Sequence, residues 1–418
     1  MSNHALAPLA LALALASPEL FAQPNEALKI TRLGDHLYKF ASMEGGYETK
    51  IIASIGKDGV LLVDTGDKEW SKELLAKLKE LGGGAPRIII NTHSHIEHIS
   101  GNIPLSKGAL VIGHENLRTR MQSHFFLWEG FPPEALPSLT FRDSMSLHFN
   151  GEEIRLLAFP GAHDNSDIVV WFTQSKLACV GALVNGHHFP SVDGLMGDVT
   201  KYPEVTAKVL AALPEDVKLV PGHGEECSHA DGMAFQEMLS QTLALARSEM
   251  AKGKDLKTLQ AENILAPWKT WEIAYIGVNG WLSALARGIQ GAKLKPPIFA
   301  PLYYAYKEKG AEGAVQRYRE IKATRAEAYR WEDMAMQLGR IAMKLQEDGK
   351  HADAIPFLEL CLTEFPKDPS ASMAHTCLGD AHQALQRKDK ALHHFQKALE
   401  LDSRNEDAKS KLEALAKK

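Results

Sequence analysis

Residues 91–101 read N-T-H-S-H-I-E-H-I-S-G and follow directly on the apolar residues Ile88, Ile89 and Ile90. His93, His95, Glu97 and His98 fall within six residues. The apolar run reads as a buried strand, so the fold must carry this polar cluster to a strand end. A lone histidine is most often a surface or satisfied core residue. Four ligand-type side chains at spacings of two, two and one are a stronger signal. Borderline-soft nitrogen donors plus one acid are what a zinc hydrolase site needs. In an extended segment residues two apart face the same side, so His93 and His95 point together.

A chain of 418 residues exceeds one small core, and two or more domains are expected. Hydrophobic content of 45% and charged content of 24% are ordinary for a soluble globular protein. A net charge of -5, with no run of Lys or Arg, argues against a nucleic-acid partner. Four cysteines make no disulfide framework. Cys179, Cys361 and Cys377 read as small core residues, while Cys227, close behind His223, is a lesser alternative ligand.

The N-terminus holds an apolar run over 5–16 and a small residue at Ala22. It reads as a secretory signal peptide over 1–22, although no Lys or Arg precedes the run. The expected location is periplasmic or secreted; a disordered start would instead leave the chain cytoplasmic. No other segment reaches 18 uninterrupted apolar residues, so no membrane span is expected in the mature chain.

Residues 28–66 read as strands and turns, and 68–81 as a helix stopped by Gly82-Gly83-Gly84. Asn150-Gly151 between two apolar runs signals a hairpin. Strands are read at 87–91, 109–112, 168–172, 177–180 and 218–220, with helices after His114 and over 205–213. This pattern predicts a layered α/β domain over 23–240. From about Phe235 the pattern is helical. Trp268, Trp271 and Trp281 belong to a helical extension and linker over 241–300, packed on the first domain. Small residues then recur over 301–418: Gly349 and Ala354 in one unit, Gly379 and Ala391 in the next. The Ala354–Ala391 offset is 391 − 354 = 37. A helical solenoid of tetratricopeptide-like repeats is expected there.

Three further stretches complete the pattern: Val63-Asp64-Thr65-Gly66, Gly161-Ala162-His163, and Pro221-Gly222-His223-Gly224. Over about 28–238 the chain resembles the metallo-β-lactamase superfamily, whose signature T-H-x-H-x-D-H is followed by two more distant histidines. The segment 185–193, N-G-H-H-F-P-S-V-D, is similar to one branch of that superfamily with exported members and helical tails. The resemblance implies an αββα sandwich followed by an all-α repeat domain. It implies His93, His95 and His163 as ligands of a first zinc, and Glu97, His98 and His223 as ligands of a second. Asp64 matches an acid that orients ligands from behind; alone it could be a turn aspartate.

Two departures stand out. Glu97 replaces the family's Asp, and Gly181-Ala182 replaces a Gly-Asp whose aspartate bridges the metals. One metallo-β-lactamase subclass lacks the bridge and still holds two zincs, so the expectation is a complete first site and a weakened second. The implied activity is hydrolysis of an ester, lactone, lactam or sulfate-ester type bond in a small-molecule substrate, with Glu97 as catalytic acid-base. The alternative is a catalytically weak zinc-binding module whose repeats grip a protein or peptide partner. Met121, Phe125, Phe126 and Trp128 could wall a pocket or pack as core. His187 and His188 could face substrate or sit in a surface loop.

Overall fold

A computed structural model describes residues 28–44, 47–123, 130–192, 194, 196–273, 276–292, 295–331, 334–368 and 370–416. The expected signal peptide over 1–22, and Phe125, Phe126 and Trp128, lie outside these residues. The described chain forms two compact units, one ending at Leu294 and one beginning at Lys295.

The first unit is built on two sheets. One has seven strands in chain order: β1 (Lys29–Arg32), β2 (Leu37–Glu44), β3 (Tyr47–Gly56), β4 (Gly59–Val63), β5 (Pro86–Ile90), β6 (Leu110–His114) and β7 (Leu139–Phe141). Pairing is antiparallel as far as β4 and parallel from there to β7. The other contains β8 (Ser144–Phe149), β9 (Glu152–Ala158), β10 (Ile168–Phe172), β11 (Leu177–Gly181), β12 (Lys218–Pro221) and β13 (Cys227–Ser228), again in chain order. Only β11 and β12 pair in parallel.

Alternation along the strands divides their side chains between layers. Leu37, Ile52, Leu61, Val63 and Ile90 meet Ile154, Leu156, Ile168, Val170 and Phe172 between the sheets. On the outer face of the first sheet, Phe40, Leu62, Ile89 and Val111 are covered by Trp70, Leu74 and Leu78, the last two from α1 (Ser71–Glu80). Three short helices follow: α2 (Ile96–Ile99), α3 (Asn102–Leu105) and α4 (Glu115–Gln122). The outer face of the second sheet, with Val169, Ala178, Val180 and Leu219, is covered by α5 (Tyr202–Ala211), α6 (His229–Ala251), α7 (Leu256–Ala261) and α8 (Val278–Ile289). The result is the expected αββα sandwich.

Helix α6 runs unbroken through residue 240, and the aromatics beyond it pack inward. Trp281 donates from Nε1 to Thr242 Oγ1 at 3.0 Å and stacks on Phe189 at 5.9 Å. The hairpin at Asn150-Gly151 has φ of 52 and 84, the double positive φ of a type I′ turn. Strand β7 escapes the sequence pattern because it is three residues long and mostly exposed. The first half of β3 escapes it because Glu48 and Lys50 face inward, where Lys39, Glu48 and Glu226 form ion pairs.

The second unit is helical: α9 (Phe299–Thr324, broken at Gly310), α10 (Met334–Glu347), α11 (His351–Glu364), α12 (Ala371–Ala384), α13 (Lys388–Leu401) and α14 (Glu406–Ala416). Tyr318, Leu338, Ile341, Leu345, Phe357 and Leu358 form its core. Among the described residues no helix is long and apolar enough to cross a membrane.

Candidate metal centre

Three loops at one end of the sandwich converge. The first leaves β5 at Ile90 and stays extended through His95, whose φ of −68 and ψ of 142 make it the N-cap of α2. The single turn of α2 then carries Glu97 and His98. The second loop precedes β10 and holds His163. The third follows β12 and holds His223. His93, His95 and His163 each offer a nitrogen, all within 4.8 Å of one another; Glu97, His98 and His223 form a second such group. All six residues named from the sequence are therefore brought together.

Hydrogen bonding fixes which nitrogen of each ring carries the proton. Asp64 accepts from Thr92 N and Thr92 Oγ1, both at 2.7 Å. A carboxylate only accepts, so the Thr92 hydroxyl spends its proton on Asp64. Its oxygen must then accept from His93 Nδ1, 2.8 Å away. His93 Nε2 is left with a bare lone pair, and that atom is buried with no hydrogen-bond partner. By the same logic His163 Nδ1 donates to Asp167 Oδ1 at 3.1 Å, and His98 Nδ1 donates to Asp64 Oδ2 at 3.0 Å. His223 Nδ1 donates to the Glu48 carbonyl at 2.8 Å. The Nε2 atoms of His98 and His223 face each other at 3.1 Å, and in the neutral, ligating form of both rings each presents a lone pair to the other. Two lone pairs at that distance repel unless a cation lies between them. The donor set thus fits a divalent metal, and the pattern matches how orienting groups fix metal-binding histidines.

The electrostatics agree. Burial, then the imidazoles of His98, His163 and His95, pushes His93 well below the usual histidine range. Burial followed by His95 does the same to His163, and burial lowers His223. All three are neutral at pH 7, the form that ligates. Glu97 goes the other way. Burial would raise it, but its contacts with His223 and His95 outweigh that and hold it well below the carboxylate range.

Backbone shape serves the cluster. Asp64 has a φ of 61, a left-handed conformation uncommon for a non-glycine residue. Gly222 lets the third loop close: a Cβ there would lie 2.7 Å from the His98 ring. Asp164 binds the second loop to the first, accepting from Ser94 N at 2.9 Å and Ser94 Oγ at 2.5 Å. Sequence reading missed Thr92, Asp164, Asp167 and Glu48. Thr92 stands inside the first quoted motif and Asp167 four residues after His163, both within reach; Glu48 acts through its carbonyl, which no residue type reveals.

Other positions divide. Ala182 is 3% exposed, and its carbonyl accepts from the Tyr202 hydroxyl. Cys227 joins no ligand group among the described residues, and burial pushes its thiol up to about 11. His187 is exposed and pairs with Asp231 at 3.1 Å. His188 is buried, its ring against Gly224 just beyond His223. Met121 is buried core.

The sequence profile of the metallo-beta-lactamase superfamily matches residues 51–223, and that of the tetratricopeptide repeat matches 372–405. A metallo-beta-lactamase type 2 of Bacteroides fragilis is 24% identical over 208 residues, 48% of this chain and 81% of that protein. A linear primary-alkylsulfatase of a Pseudomonas species is 23% identical over 239 residues, 46% of this chain and 44% of that protein. Among solved structures, the metallo-beta-lactamase from Pontibacter korlensis is 20% identical with a TM-score of 0.45, over 51% of this chain and 99% of its own. Residues 51–223, within the first unit, thus form a metallo-β-lactamase superfamily domain, and a tetratricopeptide repeat lies near the C-terminus at 372–405.

Proposed function

We propose that the first unit is a zinc-dependent hydrolase acting on an ester, lactone, lactam or sulfate-ester bond of a small molecule. The observation that carries this reading is the convergence of five imidazoles, with His98 Nε2 and His223 Nε2 3.1 Å apart, beside an ionised glutamate. Nitrogen-rich sites with one carboxylate suit zinc. When bound, zinc acidifies water and offsets negative charge developing on the substrate.

The chain's own residues supply the rest. His93 and His163 are held in the ligating tautomer by Thr92 and Asp167. Glu97 Oε1 lies 3.4 Å from His95 Nδ1 and 3.6 Å from His223 Nε2. There its carboxylate can orient an attacking water, accept its proton and pass that proton to the leaving group. The relatives named above act, by their names, on β-lactams and alkyl sulfates, and both classes belong in the substrate panel.

The test combines metal analysis of purified protein with chromogenic ester, lactone, lactam and sulfate substrates. Chelator-sensitive turnover that is abolished in His93→Ala and His95→Ala supports the reading. Absence of bound metal sinks it. The tetratricopeptide match favours a second role, gripping a protein or peptide partner. Silence across the panel together with a specific partner of the isolated chain would make that the main function. The proposed location is periplasmic or secreted, and the mass of the N-terminal peptide from the native host tests it.

A further inference from the structure

The position that the superfamily fills with a bridging aspartate holds Ala182, a methyl group. The position that it fills with a terminal aspartate ligand holds Glu97, one methylene longer. The geometry joins them. Glu97 Oε1 lies 3.4 Å from His95 Nδ1, a member of the first triad, and 3.6 Å from His223 Nε2, a member of the second. The carboxylate therefore belongs to the second donor group and, through the same oxygen, also approaches the first.

Charge makes this position consequential. An imidazole that ligates a metal does so as a neutral donor, and Asp64 is turned away behind His98 and Thr92. Glu97 is the single carboxylate that belongs to either triad. Two divalent cations held by neutral nitrogens repel each other strongly in a buried site. An anion placed between them offsets that repulsion far more than one placed to the side. A carboxylate has two oxygens and about four lone-pair positions, enough for one cation on each.

We infer that Glu97 bridges two divalent metals in this centre, taking over the role of the carboxylate that Ala182 lacks. The inference rests on the metal-centre reading above and goes beyond it: the off-pattern residue is a compensation, not a defect. The substitution Glu97→Asp is the sharp probe, because it restores the family's own residue. If Glu97 is a terminal ligand of the second metal, aspartate should hold that metal as well or better. If Glu97 is a bridge, aspartate is too short to serve both triads, and the second metal is lost.

The experiment is calorimetric titration of metal-free, full-length protein with Zn²⁺, with metal content measured after dialysis. It uses wild type, Glu97→Asp and Glu97→Gln, each checked for native circular dichroism. Glu97 lies at the rim, its side chain 18% exposed, so neither change disturbs the core. The expected result is two ions in wild type. In E97D the second ion weakens by at least about tenfold, the scale of losing a supporting group at a metal site, while the first changes little. E97Q, a neutral amide of full length, also loses the second ion. Equal or tighter second-ion binding in E97D overturns the bridge, as does a wild type that holds one ion only. A wild type that binds no zinc overturns the underlying metal-centre reading instead.

Discussion

Thr92 sets the orientation of His93 without being a ligand itself. Its hydroxyl passes a hydrogen-bond chain from the Asp64 carboxylate to His93 Nδ1, which decides where the His93 lone pair points. Thr92→Val keeps the shape and removes the chain. First-site zinc affinity should then fall about 10–100-fold, the usual cost of losing an orienting partner, as read by chelator competition. Asp64→Asn should cost at least as much, because it also frees His98 Nδ1. His93, His95, Glu97 and His98 were legible from their close spacing, which in an extended segment puts His93 and His95 on one side, whereas His163 and His223 came from the resemblance to the superfamily. Their partners were less so. Asp167 serves His163 across one loop, but Glu48 reaches His223 from 175 positions away. Local sequence does not encode that meeting; only the closure of β3 against the third loop does.

At the scale of elements, α12 and α13 carry a second concentration of histidines. His375 Nδ1 and His394 Nδ1 are 3.0 Å apart, and the His382 ring stacks on His394 at 5.4 Å. Burial, then His375, His382 and His393, pushes His394 down to about 4. Lys390, Arg387 and Lys397 face the cluster as further cations, and Glu400 is the acid beside it. The sign follows directly. The folded pKa lies below the unfolded value of 6.5, so the native helices bind fewer protons. Their stability is complete above about pH 6.5 and drains away as the pH falls toward about 4. Amide exchange in α12 and α13 should accelerate over that window, and less so in His394→Leu. The helices themselves were readable from small residues at fixed spacing. The charged half of β3 was not, since buried ion pairs with Glu226 and Lys39 override the apolar pattern that marks a strand.

Across the first unit as a whole, the ligands come from loops of both sheets. Metal binding is then part of folding stability: a site held at a hundred times its dissociation constant adds about 2.7 kcal/mol. Chelation should lower the thermal midpoint, and the shift should grow with the zinc concentration used as reference. The layered architecture was legible because alternating apolar residues and turn signals specify two-sided sheets. The distribution of the site over both sheets was not, because strand order is a property of the closed fold.

The Asn150 turn gives that distribution a mechanical meaning. At the end of the sandwich away from the histidines, Asn150 donates its backbone N–H to Asp58 at 2.7 Å and accepts from the Asp58 backbone at 2.9 Å. Its Nδ2 also donates to Ser54 Oγ at 2.9 Å. One end of the two sheets is latched by an amide. The other would be latched by an ion held among the histidines. Removing the ion leaves a book with its spine intact and its clasp undone. Exchange should quicken at 92–101, 160–167 and 222–226, while 54–59 and 150–153 keep their protection; uniform loosening would contradict it.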